Sequence, residues 1–360
     1  MDKAKGSILK RLTERYLIQG LSGMASGLFC TLIIGLIIKQ IGSLAGDTVV
    51  GQVLVGIGGI ASVLTGVGIA IGTGHQLGAS KLVLYASAIN GMIGAYALGF
   101  INGSVFVEGS VVLTGPGDPL GAFIATVIGV EVGSRIAGKT KLDILITPAV
   151  TILVGSSVAL AIGPSLSAFT QMLGGFISQA TELQPFLMGI IISVLMGIFL
   201  TLPISSAAIG LILGLSGLSA GAATAGCAAQ MVGFAVMSYK ENGMNGLLAQ
   251  GLGTSMLQIP NIVKNPKVWL PPILASAITG PIATMVFKLE NIPAGSGMGT
   301  SGLVGPILTW QSMVGTQSNL NLAIGIGMVY FILPAVLTLL FAQILRKIGW
   351  IKPNDLKLEL

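Results

Sequence analysis

LIQGLSGMASGLFCTLIIGLIIKQI, residues Leu17–Ile41, carries no charged side chain before Lys39. A helix needs ~20 apolar residues to cross a hydrocarbon core about 30 Å thick, so this run is long enough to span a bilayer. Lys3, Lys5, Lys10, Arg11 and Arg15 precede it, as a basic flank precedes a secretory signal. The run nevertheless exceeds the ~7–15 residues of a signal core and reads as a retained first span.

The pattern continues to the end of the chain. Apolar runs over Val49–Ile71, Leu82–Ile101, Gly121–Ala137, Ile144–Gly163, Pro185–Leu202, Ala207–Met237, Leu247–Val263, Val268–Phe287 and Leu320–Leu345 bring the expected number of spans to ten, within a range of 8 to 11. Of the 360 residues 53% are hydrophobic and only 8% charged, whereas a soluble domain carries roughly 25% charged residues. Mean hydropathy is +0.92. The expected fold is therefore an all-α polytopic transmembrane bundle with broken or re-entrant segments, one integral membrane domain over residues 1–360.

The net charge of +6 does not point to nucleic acid, because the basic residues sit in short flanks between apolar runs, as in cytoplasmic loops. Arg135, Lys139, Lys141, Lys264 and Lys267 fall on the same side as the N-terminal positives. Both termini, the flank 1–16 and the tail 346–360, are thus expected in the cytoplasm. The segment Pro164–Gln184 is expected outside, as an amphipathic helix lying on the interface. Cys30 and Cys227 lie inside apolar runs and read as small hydrophobes.

Glycine contributes 53 residues. The small-xxx-small spacings at Gly23/Gly27, Gly68/Gly72, Gly129/Gly133, Gly210/Gly214 and Gly217/Gly221 predict close helix packing inside the bundle, with a dimer face as the lesser reading. A faint internal repeat aligns ASAINGMI, 86–93, with ASAITGPI, 275–282, and carries Asn102 onto Asn291. Each asparagine is followed by a Gly-Pro pair, Gly115-Pro116 and Gly305-Pro306. Repeats containing broken helices are how many transporters build a central site.

Four polar clusters interrupt the apolar background. His75, the single histidine, stands with Gln76 where the second run ends; the alternative is an ordinary loop histidine. In Thr114-Gly-Pro-Gly-Asp-Pro-Leu-Gly121 the glycines and prolines forbid a regular helix, and at membrane depth such backbone must line a cavity or be buried in protein. Asp118, in that corner, is either a ligand for a solute or ion or a loop residue in water, and Glu108 stands upstream of it. Glu131 and Arg135 have the spacing of an i,i+4 ion pair. Lys288–Asn291 leads into a glycine-rich run bearing Thr300 and Ser301. Its Gly297, Gly299 and Gly302 match a dinucleotide fingerprint only in form, because no strand or βαβ unit surrounds them. The expected substrate-binding set is His75, Gln76, Asn102, Glu108, Asp118, Asn291 and Thr300, with no catalytic residue, metal or cofactor.

Taken together, Gly74-His75-Gln76, the Thr114–Gly121 corner, Asn265-Pro-Lys-Val-Trp-Leu-Pro-Pro272 and Gly297-Met-Gly-Thr-Ser-Gly-Leu-Val-Gly305 resemble the phosphotransferase-system IIC-like membrane family (EIIC type 2) that includes perfringolysin-regulator-type proteins. The resemblance covers nearly the whole chain. It implies a sugar-permease membrane domain in the bacterial plasma membrane, a homodimer, and separate IIA and IIB phosphocarrier partners. In better-known IIC permeases a glutamate and a histidine hold the sugar hydroxyl that receives phosphate, and IIB donates the phosphoryl group from a Cys or His. His75 is the only candidate here for that histidine, and the acidic partner stays open among Glu108, Asp118, Glu131 and Glu290. No IIA or IIB domain lies within the chain, so it does not phosphorylate a sugar by itself.

The expected function is a permease subunit that binds and translocates a small polar solute, a sugar. The alternatives are a membrane sensor or regulator without net transport, which some members of the family are described as being, and an ion-coupled carrier or channel using Glu108 and Asp118. ATP-driven transport by this chain is excluded, because no P-loop occurs and no polar stretch is long enough for a nucleotide-binding domain.

Overall fold

The computed structural model describes residues 10–358; Lys3 and Lys5 of the basic flank lie outside them. The described chain is mostly helical, and its one sheet is a two-stranded hairpin. It divides into two compact units, one through Phe169 and one from Thr170. The boundary falls inside a single long helix.

The first unit begins with α1, Lys10–Leu44. Then come α2, Val49–Val63, and α3, Thr65–Gln76, joined by a 50° bend. Helix α4 covers Lys81–Ala95, α5 Ala97–Asn102, and the hairpin strands β1 and β2 cover Phe106–Val107 and Ser110–Val111. Helix α6 is Pro119–Ile136 and α7 Asp143–Thr181. The small-residue spacings of α1 and α3 meet each other. A Cβ on Gly27 would lie 1.9 Å from the carbonyl oxygen of Gly68, and one on Gly23 would lie 2.3 Å from that of Gly72. In lipid, where apolar surfaces gain little by leaving one another, such backbone contact is a main source of helix association. On α4, Asn90 is fully buried and donates to the Thr151 carbonyl of α7 at 2.9 Å.

The second unit contains α8, Pro185–Thr201; α9, Ser206–Ile212; α10, Gly217–Met237; and α11, Tyr239–Leu248. After irregular π and 3-10 turns over 249–258 follow α12, Ile259–Lys264, and α13, Pro266–Val286. Helices α14, Pro293–Ser296, α15, Val304–Met313, and α16, Asn319–Lys347, complete it. Helix α10 is the axis of this unit, with 94% of its apolar window buried. Met231 and Phe234 on it, and Met196, Leu289 and Tyr330 around it, are fully buried.

The all-α polytopic class holds, but the expected ten spans are not all present as such. Among the described residues, six helices are long and apolar enough to cross a membrane, and the bent pair α2–α3 makes a seventh; Pro185–Thr201 is apolar but shorter. Glycine and proline account for much of the difference. The run 207–237 breaks between α9 and α10, with Gly214 and Gly217 at positive φ. The run 247–263 is a chain of π, 3-10 and short α turns. Conversely, 164–184 is no separate surface helix. It continues α7 through Pro148 and Pro164, giving one helix of 39 residues. Neighbouring polar groups can satisfy the carbonyls a proline frees, so proline is tolerated inside membrane helices.

Candidate functional site

In the first unit the sequence candidates occupy two ends of the bundle. His75 and Gln76 are the exposed last residues of α3. Nearby, Arg15 Nε donates to Glu131 Oε1 at 2.7 Å, and Arg15 Nη2 donates to the Leu77 carbonyl at 3.2 Å. Glu131 is therefore paired with Arg15, 116 residues away, and not with Arg135 one turn along its own helix, which is exposed.

The other end holds Asn102, Glu108 and Asp118. Asn102 is exposed and accepts from the Ser104 amide at 3.0 Å, an Asx turn that stops α5. Glu108 and Gly109 form the turn of the hairpin, with φ of 48° and 80°; two positive-φ residues are what a type I′ hairpin turn requires. Asp118 is half-buried. Its amide donates to the Ala95 carbonyl at 2.8 Å, and its Oδ1 accepts from the Leu120 amide at 2.9 Å, making it the N-cap of α6 ahead of Pro119. Burial holds its carboxyl above the usual carboxylate range, and the amides of Leu120 and Gly121 pull it partly back. Tyr96 closes the corner, its hydroxyl donating to the carbonyls of Gly115 and Val63. From this end to His75, helix α3 rises about 15 Å at 1.5 Å per residue. Within this unit, His75–Gln76 and Asp118 do not converge.

Asn291 and Thr300 lie in the second unit, and both are buried. Asn291 Nδ2 donates to Thr224 Oγ1 at 2.9 Å and to the Gly305 carbonyl at 3.2 Å, while its backbone pairs in both directions with Gly217. It thereby ties the α9–α10 break to the glycine-rich run. Thr300 Oγ1 donates to the Gly251 carbonyl at 2.5 Å, tying that run to the irregular segment after α11. Gly299, at φ +52°, lies so close to α10 that a Cβ would stand 2.7 Å from the Cys227 carbonyl carbon. Three breaks thus abut α10. Ser301 Oγ is buried there without a hydrogen-bond partner among the described residues.

One turn beyond Cys227 on α10 stands Gln230, fully buried, which sequence reasoning passed over. Its Oε1 accepts from Trp269 Nε1 at 2.9 Å and from Thr201 Oγ1 at 3.4 Å, and its Nε2 donates to Ser276 Oγ at 3.4 Å. Thr201 in turn shares a 2.8 Å hydrogen bond with Ser255, and Ser193 Oγ donates to the Ser276 carbonyl at 2.7 Å. Side chains from α8 and α13 therefore meet on one amide, and the 3-10 turn at Ser255 joins them through Thr201. The signal was present in the sequence: a lone glutamine in a run from Gly217 to Met237 that has no charged residue. Polar side chains inside membrane helices face the bundle interior or a cavity, and a glutamine there hydrogen-bonds across helices. The set is neutral, combining amide and hydroxyl groups with the edge of an indole that is only partly buried. Such groups suit hydrogen bonding to a neutral polyhydroxylated solute.

A family model described as phosphotransferase system, EIIC matches residues 18–358. No curated protein and no solved structure matches the chain. The matched span includes both units and every candidate residue above, and it carries with it a sugar substrate, IIA and IIB phosphocarrier partners and residence in a membrane. The chain belongs to the phosphotransferase system EIIC family, the membrane sugar-permease component of that system.

Proposed function

We propose that the second unit binds a neutral sugar at the α10 polar cluster and that separate IIA and IIB proteins supply the phosphoryl group. The observation that carries this reading is Gln230. It is the meeting point of Trp269, Thr201 and Ser276 on a helix otherwise built of small and apolar residues. Sugar hydroxyls replace the internal partners of the amide, and Trp269 offers a ring face for the sugar's C–H surface. The breaks beside α10 supply the segments that move as access alternates between the two sides.

Asn291 and Thr300 support the cluster by holding the glycine-rich run against α10. His75, Gln76, Asn102, Glu108 and Asp118 are first-unit candidates for hydroxyl or phosphoryl contact, and His75 is the sole histidine available for it. The bacterial plasma membrane as location, cytoplasmic termini and a homodimer belong to the same proposal. The placement of the basic flanks supports the orientation.

Uptake and binding across a sugar panel, measured for the chain in proteoliposomes with its phosphocarriers, test the reading. Gln230→Ala and Trp269→Ala are expected to lower sugar affinity by about tenfold or more, the scale on which a site loses affinity when its hydrogen-bonding groups go unpaired. Unchanged binding in both variants overturns the site. Binding without any flux favours a sensor over a permease.

A further inference from the structure

Two hollows on the second unit share one wall. The first, about 530 Å³, is lined by Lys240, Glu241, Arg346, Asn354 and Lys357 together with Ile351 and Pro353. The second, about 410 Å³, is lined by Val236, Met237, Leu247, Leu339 and Ala342, and it shares Lys240 and Arg346 with the first. One is cationic and polar, the other apolar, and the two run into each other.

Their level follows from the spans that border them. Met237 ends α10 and Arg346 lies in the last turn of α16, both candidate membrane spans. Arg346 Nη2 donates to the Met237 carbonyl at 2.8 Å and to Glu241 Oε1 at 3.1 Å. Tyr239 is exposed here, and Lys267 Nζ lies 4.9 Å from the centre of the Trp350 ring on the segment just past α16. Amphipathic aromatic rings favour the membrane–water boundary. The apolar hollow therefore lies on the bilayer side of that boundary and the cationic hollow on the water side.

Charge selects the occupant. Glu241 neutralises Arg346. Lys240 and Lys357 are both exposed and have no acidic partner among the described residues. The backbone that carries Lys357 is held in place, because the Lys357 carbonyl accepts from Asn261 at 2.9 Å while Asn242 grips the neighbouring carbonyl of Leu356 at 2.8 Å. Two exposed ammonium groups beside an apolar groove suit a molecule with an anionic head and a hydrocarbon tail. We propose that the joined hollows bind an anionic phospholipid, its phosphate between Lys240 and Lys357 and an acyl chain along Leu247, Leu339 and Ala342.

The test is native mass spectrometry of the full chain in detergent, titrated with phosphatidylglycerol or phosphatidylcholine, beside a thermal melt of each variant to confirm folding. The wild-type chain is expected to retain phosphatidylglycerol preferentially. In Lys240→Gln/Lys357→Gln that preference is expected to fall by about 25-fold, at about fivefold for each lysine near an anionic headgroup. Leu339→Asn is expected to weaken both lipids alike. Equal retention of the two lipids by the wild type, or an undiminished preference in the double variant, overturns the proposal. So does displacement of phosphatidylglycerol by millimolar inorganic phosphate, which marks a site for soluble anions, or a basic patch whose loss changes only phosphocarrier binding.

Discussion

The indole N–H of Trp269 donates to Gln230 Oε1 at 2.9 Å, across from a helix that has no charged residue between Gly217 and Met237. Removing the amide strands the Trp269 N–H, while Thr201 keeps Ser255 and the Gly197 carbonyl and Ser276 keeps the carbonyls of Pro272 and Gly226. Gln230→Ala is expected to cost about 1–3 kcal/mol, the penalty for stranding buried polar groups. Trp269→Phe keeps the ring and loses one hydrogen bond, so it is expected to cost about 1 kcal/mol and to retain most sugar affinity. Thermal melts in detergent alongside sugar titrations check the order of the two.

Asp118 caps α6 and is held above the usual carboxylate range by burial. Asp118→Ala is expected to lose about 1 kcal/mol of stability with the cap, whereas Asp118→Asn keeps a good cap and loses little. A carboxyl whose folded pKa is raised takes up protons more readily folded than unfolded. The fold therefore gains stability as pH falls through the raised value toward the unfolded value of about 3.9. Melting temperature followed from neutral pH downward is expected to show this gain in the wild type and to lack it in Asp118→Asn.

The crossing of α1 and α3 leaves no room for a methyl group. Gly27→Ala places a Cβ 1.9 Å from a backbone oxygen, and overpacking of this kind is expected to cost about 1–3 kcal/mol. Gly56, on α2, has nothing within 4 Å of its Cβ position. Gly56→Ala is expected to be neutral or slightly stabilising, because alanine favours a helix by up to about 1 kcal/mol over glycine. Paired melts of the two variants separate packing from propensity.

The tail beyond α16 is held by amides. Asn242 donates to the Leu356 carbonyl and accepts from the Leu358 amide, both at 2.8 Å, and Gln258 donates to the same Leu356 carbonyl at 3.1 Å. Asn242→Ala removes two of these bonds. At about 1 kcal/mol each, trypsin cleavage after Lys357, the tail lysine not followed by proline, is expected to quicken by roughly tenfold or more. An unchanged cleavage rate shows that the tail is held by other contacts.

Much of this architecture was legible in the amino-acid order, and the exceptions have physical causes. Apolar length located the first span, which extends to Lys10–Leu44, and the paired spacings of Gly23/Gly27 and Gly68/Gly72 foretold a close crossing. Pro164 misled because a proline that ends a helix in water can be absorbed within one in a bundle. Residues 247–263 misled because hydropathy does not distinguish an α-helix from successive π and 3-10 turns. The ion pair of Glu131 and the hub at Gln230 escaped because their partners come from distant elements: Arg15 in one case, and α8 and α13 in the other. Spacing along one helix cannot reveal such partners. The glycine-rich run was recognised as a break, but its work of fastening three breaks to α10 depends on contacts of Asn291 and Thr300 that no local motif encodes.

The account turns on whether sugar reaches the amide of Gln230. Tryptophan emission of the full chain in proteoliposomes, with Trp310→Phe and Trp350→Phe leaving Trp269 as the only reporter, measures this directly when titrated with a sugar panel. A saturable change is expected with at least one sugar, abolished by Gln230→Ala in protein that still melts cooperatively. A panel that leaves the emission untouched, or a full response that survives Gln230→Ala, contradicts it.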